Sequence, residues 1–301
     1  MNKNIVITGS GGILGSSMID KMIENGEYTI FAVTSQVEKL SKKYKQSKQV
    51  KVFSSIADIP EKTINLAIHC AFPRANKGSE LVTAFEYTES VMKKLALKNT
   101  KYFINISSQS VYAQMGDEIQ NETSAVEPSN LYGMTKYAIE EFVRVTAELV
   151  DMNYVNIRLG SLASPTFDQR MINRFYKMIR NGEAITIDAG SPKVSYLHLE
   201  DAADGLLLLV EKIGKGSSVK KVYNLANNDW LSIKDLVFKC QEQANKIGLS
   251  PTAVIQTEKE SKYNNVVNSD LFYEDMNWIP QYKMSDLIKN IFNSKYRRMN
   301  K

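Results

Sequence analysis

The glycine-rich stretch ITGSGGILGSS at Ile7–Ser17 constrains the fold of this chain more than any other feature. It lies between an apolar run at Asn4–Thr8, which predicts a strand, and a helical pattern at Ile13–Asn25. Backbone N–H groups at a helix N-terminus carry partial positive charge and bind phosphate groups. Glycines on the turn let a ligand approach the backbone closely, because they have no side chain to block it. The stretch therefore predicts a turn that holds the pyrophosphate of a dinucleotide in a doubly wound fold.

Apolar runs alternate with helical patterns through the first half of the chain. Further strands are predicted at Thr29–Thr34, Val50–Phe53, Ile64–Ala71, Lys101–Ser107 and Tyr154–Arg158, and further helices at about Glu80–Lys98 and Tyr132–Val150. Continuous apolar strands separated by helices indicate a parallel sheet covered on both faces. The predicted fold class is α/β, a Rossmann-type doubly wound parallel sheet with a smaller C-terminal α/β substrate-binding part.

The chain contains no Gly/Ser-rich linker, so a second domain must grow directly out of the first. We predict a dinucleotide-binding Rossmann domain over residues 1–160 and a mainly substrate-binding part over residues 161–301. Segments near residues 195–225 are expected to return to the Rossmann domain.

The composition excludes several classes of function. The net charge of +5 is mild for 301 residues, and basic residues are scattered among acidic ones, which argues against nucleic-acid binding. Cys70 and Cys240 are predicted to be buried thiols, and the two histidines form no cluster with cysteine, so no metal site is expected. No apolar run reaches the roughly 18 residues of a bilayer span, and no signal-peptide pattern precedes the first strand. We therefore predict a cytoplasmic protein without membrane insertion.

The spacing of the glycines resembles that of a known family. Gly9, Gly12 and Gly15 form a T-G-x-x-G-x-x-G pattern, which is similar to the extended short-chain dehydrogenase/reductases, a group of nucleotide-sugar epimerases, dehydratases and reductases. That family pairs the turn with a Y-x-x-x-K motif. The motif occurs at Tyr44 in a polar, lysine-rich stretch, and again at Tyr132 with Lys136, after the lead-in VEPSNL and at the start of a long helix. The second match resembles the family's site.

Other motifs of the family follow in order. The segment SSQSVY at Ser107–Tyr112 resembles the family's SSxxVYG, and this alignment implies that Ser108 is the catalytic serine. Four later segments resemble family motifs as well: NIRLGSLASP (Asn156–Pro165), VSYLHLEDAADGL (Val194–Leu206), VYNLANNDWLSIKDLV (Val222–Val237) and MNWIPQYKMSDLIKNI (Met276–Ile291). The resemblance covers essentially the whole chain.

The three motif residues can carry out proton transfer. A tyrosine phenol has an ordinary pKa near 10, too high for a base at neutral pH. Lys136 lies one helical turn from Tyr132, and its positive charge favours the phenolate. Such a tyrosine removes a proton from a sugar hydroxyl as hydride leaves carbon, or donates one to a ketone as hydride arrives. Ser108 is expected to hydrogen-bond the same oxygen, and the resemblance implies that Lys136 also holds the nicotinamide ribose.

The resemblance also implies a cofactor site, with NADP or NAD as the cofactor. Its predicted residues are Gly9, Gly12, Ile13, Leu14, Gly15, Thr34, Ser35, Ser55, Ile56, Cys70, Ala71, Ile106, Tyr132 and Lys136. The second strand ends in Thr34, Ser35 and Gln36 without the acidic residue that selects NAD. Lys39 could face a 2′-phosphate, but the usual arginine is absent, so both cofactors stay open. His69, in the segment IHCAF that resembles the family's IHLAA, is predicted to be structural.

The reaction is less constrained than the site. The family's dehydratases carry Asp-Glu directly after the catalytic residue, whereas this chain has Gln109 and Ser110, which argues against dehydration. An epimerase and an NADPH-dependent 4-ketoreductase remain, with a non-catalytic dinucleotide-sensing regulator as the alternative class. The resemblance implies a nucleotide-sugar substrate and a place in the formation of surface-polysaccharide precursors.

Candidate substrate contacts are Ser110, Arg174 and His198, with a solvated surface position as the alternative for Arg174 and a polar packing role as the alternative for His198. Val194 stands where the family has an arginine that reaches the nucleotide diphosphate. The candidates to supply that charge are the adjacent Lys193, Arg158 and Arg174. A homodimer is predicted, because the two long helices near residues 80–98 and 132–150 often pair into an interface in this family.

Overall fold

The structure is a computed structural model that describes residues 3–73, 77–167, 170–190 and 192–299. The strands are β1 (Lys3–Thr8), β2 (Tyr28–Val33), β3 (Val50–Phe53), β4 (Leu66–His69), β5 (Tyr102–Ser108), β6 (Asn153–Leu159), β7 (Leu162–Ala163), β8 (Ile185–Ala189), β9 (Lys193–Val194), β10 (Leu197–His198), β11 (Val222–Leu225), β12 (Leu231–Ser232) and β13 (Val254–Glu260). The helices are α1 (Ile13–Asn25), α2 (Val37–Lys43), α3 (Gly78–Ala96), α4 (Leu131–Leu149), α5 (Met171–Arg180), α6 (Leu199–Gly214), α7 (Ile233–Lys246), α8 (Asp270–Met276) and α9 (Met284–Met299).

Seven strands form one sheet in the order β11-β6-β5-β4-β1-β2-β3. Every neighbouring pair in it is parallel, and Ile5 of β1 lies opposite both Ile30 of β2 and Leu66 of β4. The direction in which the chain adds strands reverses between β1 and β4. This reversal opens a crevice at the carboxyl ends of the two strands, which is where doubly wound sheets bind their ligands. The predicted fold class is confirmed.

Apolar side chains cover both faces of the sheet. On one face α1 and α6 bury residues such as Met18, Ile19 and Leu206, and on the other α3 and α4 bury residues such as Val91 and Val143. In α4 the buried Ile139, Val143 and Ala147 recur every four residues, so one stripe of the helix meets the sheet. Because the strands are buried from both sides, they carry the continuous apolar runs seen in the sequence.

A third apolar cluster lies in the C-terminal part, where α5, α7 and α9 pack together with residues such as Tyr176, Leu236 and Phe292. β8 and β13 form a separate parallel pair beside it. α6 and β11 lie with the main sheet, since β11 pairs with β6 at its edge. Among the helices in the described ranges, none combines the length and the apolar character that crossing a bilayer requires.

Candidate active site

A cavity of about 660 Å³ lies at the carboxyl edge of the sheet, next to the crevice between β1 and β4. Its lining comes from α1, the ends of β4, β5 and β6, the start of α4 and the loop before α5. The lining residues are Ile13, Leu14, Cys70, Phe72, Ile106, Ser107, Ser108, Gln109, Ser110, Tyr132, Lys136, Leu159, Gly160, Ser161, Leu162, Thr166, Phe167 and Arg170. The cavity therefore brings the first turn of α1 to the same space as Ser108, Tyr132 and Lys136.

The glycine turn after β1 is packed too closely to accept side chains. Gly9 has φ of +68°, and a Cβ there would lie 2.6 Å from the backbone nitrogen of Ala71. A Cβ on Gly15 would lie 2.5 Å from the carbonyl oxygen of Gly9. The glycines thus let the end of β1 pass close to the end of β4 and let α1 start directly from the turn.

The N-terminus of α1 is open toward the cavity. Gly12 caps the helix without any side-chain hydrogen bond, and the first turn contains no acidic residue. The first N–H groups of a helix have no partner inside it, and the helix dipole makes this end attractive to anions. Ile13 and Leu14, which belong to this turn, line the cavity. The residues present therefore fit the pyrophosphate of a nicotinamide dinucleotide.

The start of α4 is fixed against the end of β5. The Asn130 side chain caps the helix by accepting from the Gly133 N–H at 2.9 Å. A Cβ on Gly133 would lie 2.0 Å from the carbonyl oxygen of Ser110, so only glycine allows this approach. The contact brings Tyr132 and Lys136 to the side of the cavity that Ser108 and Ser110 also line.

Lys136 is buried, with 4% of its surface exposed. Its Nζ donates to the carbonyl oxygen of Ile106 at 2.8 Å and lies 3.7 Å from the centre of the Phe72 ring. Burial lowers the pKa of Lys136 to about 7, against the opposite influence of Cys70 and Glu140. The ring of Tyr132 lies 6.0 Å from the same Nζ, measured to its centre. The ammonium and the phenol thus share one helix face and one cavity.

Ser108 ends β5 with its hydroxyl oxygen accepting from the Ser110 N–H at 3.1 Å. This bond uses one lone pair of the oxygen and leaves its proton available to donate. Ser108 therefore offers a hydrogen bond to an oxygen atom placed in the cavity.

A buried ion pair lies directly behind this wall. Arg158 donates to the Glu140 carboxylate from Nε at 3.2 Å and from Nη2 at 2.8 Å, and both residues are at most 5% exposed. Ser107 also donates to Glu140, at 2.5 Å, and Arg158 donates to the Tyr112 hydroxyl at 2.8 Å. Arg158, a predicted source of charge for the substrate, is paired with Glu140 and does not line the cavity.

The predicted adenosine-binding residues lie outside the cavity lining. Thr34 follows β2 and accepts from the Gln36 N–H at 3.1 Å, while Lys39 donates to the Gln36 side chain at 3.3 Å. Ser55 accepts from the Ala57 N–H at 3.2 Å and from Lys94 at 3.3 Å, at the start of a short turn that contains Ile56. Of the predicted cofactor residues, Ile13, Leu14, Cys70, Ile106, Tyr132 and Lys136 line the cavity.

Two of the three predicted substrate residues lie elsewhere. His198 caps α6, its Nδ1 accepting from the Glu200 N–H at 3.2 Å, and its ring stacks on Tyr282 at 4.0 Å. Arg174 is exposed on α5. Neither lines the cavity, whereas Ser110 does. Among the described residues, the arginine that lines the cavity is Arg170, which immediately precedes α5. The sequence does not indicate it, because the start and the orientation of α5 decide which arginine of RMINR faces the cavity.

His69 has the structural role that its sequence context predicted. Thr88 donates to the Ala84 carbonyl, so its oxygen can accept from His69 Nε2 at 3.0 Å, and His69 Nδ1 accepts from the Thr8 hydroxyl at 2.7 Å. Burial, together with the nearby Lys136 charge, lowers the pKa of His69 to about 3. The ring is therefore neutral and links β1, β4 and α3.

The fold and this cavity define a Rossmann-type protein built to hold a nicotinamide dinucleotide. A model of the NAD dependent epimerase/dehydratase family matches residues 5–226. The chain belongs to this family, whose members are NAD(P)-dependent enzymes. The predicted family, the enzyme class and the cofactor class are confirmed.

Individual relatives are distant. A trifunctional UDP-glucose 4,6-dehydratase/UDP-4-keto-6-deoxy-D-glucose 3,5-epimerase/UDP-4-keto-L-rhamnose-reductase of Arabidopsis thaliana is 24% identical over 289 residues, which cover 87% of this chain and 42% of that protein. The chain thus spans less than half the length of this relative.

Two solved structures from Bacillus cereus share the fold over nearly the full length. The UDP-N-acetylglucosamine 4-epimerase has a TM-score of 0.80 at 19% identity, covering 98% of this chain and 100% of that chain. The UDP-glucuronic acid 4-epimerase, in complex with UDP-glucuronic acid and NAD, has a TM-score of 0.80 at 17% identity, covering 98% of this chain and 99% of that chain.

Proposed function

We propose that this protein transfers hydride between a nicotinamide dinucleotide and the sugar of a nucleotide-activated sugar, with Ser108, Tyr132 and Lys136 as its catalytic residues. One observation carries the proposal. A single cavity is lined by the open N-terminus of α1, which suits a pyrophosphate, and by these three side chains.

Each part of the cavity has a defined task. The nicotinamide, when bound, supplies or takes up the hydride. The backbone N–H groups around Ile13 and Leu14 hold the pyrophosphate, and Lys136 holds the nicotinamide ribose. The Tyr132 phenol takes the proton of the sugar hydroxyl or returns it, and the Ser108 hydroxyl donates to the same oxygen. Lys136 in its protonated form favours the phenolate of Tyr132 through charge.

Epimerisation is the first candidate reaction. The two solved structures described above are 4-epimerases of UDP-sugars, and the family's dehydratases need an additional acid and base. Of the residues that the structure describes, none that lines the cavity is a carboxylate. Gln109 and Ser110 occupy the positions that follow Ser108, and neither can serve as the acid and base that expel water.

A 4-ketoreductase that consumes NADPH is the second candidate. The observation in its favour is the end of β2, where Thr34, Ser35 and Gln36 present no carboxylate to a 2′-phosphate and Lys39 contacts Gln36. An acidic residue there would bind the ribose hydroxyls of NAD and repel that phosphate.

The homodimer belongs to the same proposal. α3 and α4 contact each other and expose apolar side chains on their outer faces, among them Val82, Val145 and Leu149, with 58%, 45% and 81% of their surfaces accessible. Two such helix pairs would bury these side chains against each other.

The experiment has two stages. Mass spectrometry of the purified protein identifies any retained dinucleotide, and proton NMR then follows UDP-glucose, UDP-N-acetylglucosamine and UDP-glucuronic acid incubated with the protein. Retained NAD and conversion of one sugar into its 4-epimer are expected for an epimerase. Binding of added NADPH and oxidation of NADPH with a 4-keto sugar nucleotide would indicate the reductase. Failure to bind either dinucleotide would contradict both.

A further inference from the structure

Three amide side chains meet beside the cavity. Gln109 and Gln114, from the segment after β5, are buried, and both donate from Nε2 to the Oδ1 of Asn265, Gln114 at 2.7 Å. Asn265 comes from the segment between β13 and α8, and its Nδ2 donates to the Ser161 hydroxyl oxygen at 3.1 Å. Gln109 and Ser161 line the cavity that Tyr132 also lines.

The direction of these hydrogen bonds is fixed by one backbone group. Gln109 Nε2 also contacts the backbone carbonyl oxygen of Asn265 at 3.4 Å, and a carbonyl can only accept. The amino end of Gln109 therefore faces Asn265, whose Oδ1 must accept from it. The Nδ2 of Asn265 is then the group that faces Ser161, so the Ser161 oxygen accepts.

This arrangement leaves the proton of the Ser161 hydroxyl available to donate a hydrogen bond. Its oxygen uses one lone pair on Asn265, and its proton has no acceptor among the hydrogen bonds of the described part of the chain. The residue is half-buried in the cavity wall, so the cavity is where the proton can find an acceptor. The cavity also contains Arg170, whose guanidinium carries a permanent positive charge. A donor and a cation in one cavity suit an anionic oxygen.

We propose that Asn265 is a positioning residue for substrate binding. It holds the Ser161 hydroxyl as a hydrogen-bond donor toward an anionic oxygen of the substrate, and Gln109 in turn fixes Asn265. This inference rests on the proposed function, because it assumes that a nucleotide sugar occupies the cavity. Asn265 lies outside residues 5–226 that the family model matches, so the C-terminal part of this chain supplies the contact.

The anionic oxygen can belong to the diphosphate of the nucleotide or to a carboxylate on the sugar. UDP-glucose contains only the diphosphate, whereas UDP-glucuronic acid contains both. If Ser161 donates to the diphosphate, its loss weakens the binding of both compounds equally. If it donates to the carboxylate, its loss weakens the binding of UDP-glucuronic acid alone.

The test is a double-mutant cycle on the dinucleotide-loaded protein. Asn265→Asp keeps the shape of the side chain but replaces the amino group by an acceptor, so the Ser161 proton turns toward residue 265. Ser161→Ala removes the hydroxyl. Calorimetry measures the dissociation constants of UDP-glucose and UDP-glucuronic acid for both single variants and the double variant. Each single variant is expected to weaken about tenfold the binding of every compound whose anionic oxygen Ser161 contacts. The double variant is expected to weaken that binding no more than either single variant does.

The cycle distinguishes an effect that passes from residue 265 through Ser161 from two simpler explanations. If the new charge at residue 265 acted only by repelling the substrate, Asn265→Asp would weaken binding further in the Ser161→Ala background. If Asn265 had only a structural role, its substitution would weaken dinucleotide binding too. If Asn265 acts through Ser161, its substitution raises KM for the sugar nucleotide and leaves the dinucleotide dissociation constant and kcat unchanged.

Either of two results overturns this inference and leaves the proposed function standing. The first is a wild-type dissociation constant for both sugar nucleotides in Ser161→Ala, which tests the donor by itself. The second is a double variant in which the losses of affinity of the two single variants multiply. If the wild-type protein binds neither sugar nucleotide, the proposed function and this inference fall together.

Discussion

The Nζ of Lys136 lies 3.7 Å from the centre of the Phe72 ring, and the same ring packs edge-on against Tyr132 at 5.6 Å between centres. Phe72 thus covers the ammonium that the proposed mechanism uses. Its sequence segment IHCAF resembles the family motif IHLAA, in which a small residue stands at this position. A ring over an ammonium adds a cation–π attraction, but it also excludes water, and burial is the influence that lowers the pKa of Lys136.

Phe72→Ala is therefore expected to raise the pKa of Lys136 from about 7 toward its ordinary value, because water gains access to the ammonium. NMR titration of 13C-labelled lysine measures this pKa directly. Phe72→Leu is the control, since it keeps most of the apolar volume and should leave the pKa low. An unchanged pKa in Phe72→Ala would show that the ring does not contribute to the burial.

The low pKa of Lys136 also predicts how stability depends on pH. Between about pH 7 and 10 an unfolded lysine is protonated, while the buried Lys136 is increasingly neutral, so the unfolded chain binds more protons and this group makes the protein more stable as pH rises. The contribution is at most about 1.4 kcal/mol per pH unit. Lys136→Met should remove it. Denaturant unfolding at pH 7 and pH 9 tests this, and parallel pH dependences of wild type and variant would contradict the prediction.

The buried ion pair of Glu140 and Arg158 predicts that Glu140 contributes more to the stability of the fold than its neighbour Glu141 does. Glu140→Gln leaves Arg158 buried without its anion and should lower the free energy of unfolding by about 3–5 kcal/mol. Glu141→Gln is the matched control, because Glu141 is half exposed and pairs with Arg144 at the surface, where water screens the pair and its loss should change the free energy of unfolding little. Equal losses in the two variants would contradict the importance of the buried pair.

The end of β2 predicts a change of cofactor preference. In Thr34→Asp the new carboxylate can still accept from the Gln36 N–H, but it adds a negative charge where a 2′-phosphate would lie. The ratio of the NADP to the NAD dissociation constant should rise at least about tenfold, measured by fluorescence titration. Thr123→Asp adds the same charge at an exposed position outside the cavity lining and should leave the ratio unchanged. An unchanged ratio in Thr34→Asp would exclude this position from cofactor recognition.

Much of the fold was predictable from local pattern. α1 and β3 begin and end at the predicted residues, because their apolar residues and flanking turns are unambiguous. β4 is shorter than predicted: it ends at His69 because the chain leaves the sheet where Ala71 packs against Gly9. α2 was missed, since Leu40 is its one buried residue and its sequence reads as a polar stretch.

Residues of the site were predictable where they belong to a sequence motif that lies on one strand or one helix. Ser108, Tyr132 and Lys136 follow from motifs on one strand and one helix, and the structure brings them to one cavity. Arg170 and Asn265 reach the cavity or its wall through tertiary packing of loops, and no periodicity or motif indicates them. His198 does not line the cavity, because its ring nitrogen caps α6 and its ring stacks on Tyr282.

The central claim is that the Tyr132 phenol moves the proton during hydride transfer. The most direct measurement mixes the dinucleotide-loaded protein rapidly with the sugar nucleotide that the product assay identifies and follows the absorbance of reduced nicotinamide, in wild type, Tyr132→Phe and Tyr137→Phe. Tyr137 is a matched control, since it lies on the same helix but outside the cavity lining. We predict that Tyr132→Phe binds the dinucleotide as wild type does and slows hydride transfer at least about a hundredfold, while Tyr137→Phe keeps the wild-type rate. Hydride transfer at the wild-type rate in Tyr132→Phe would contradict the account.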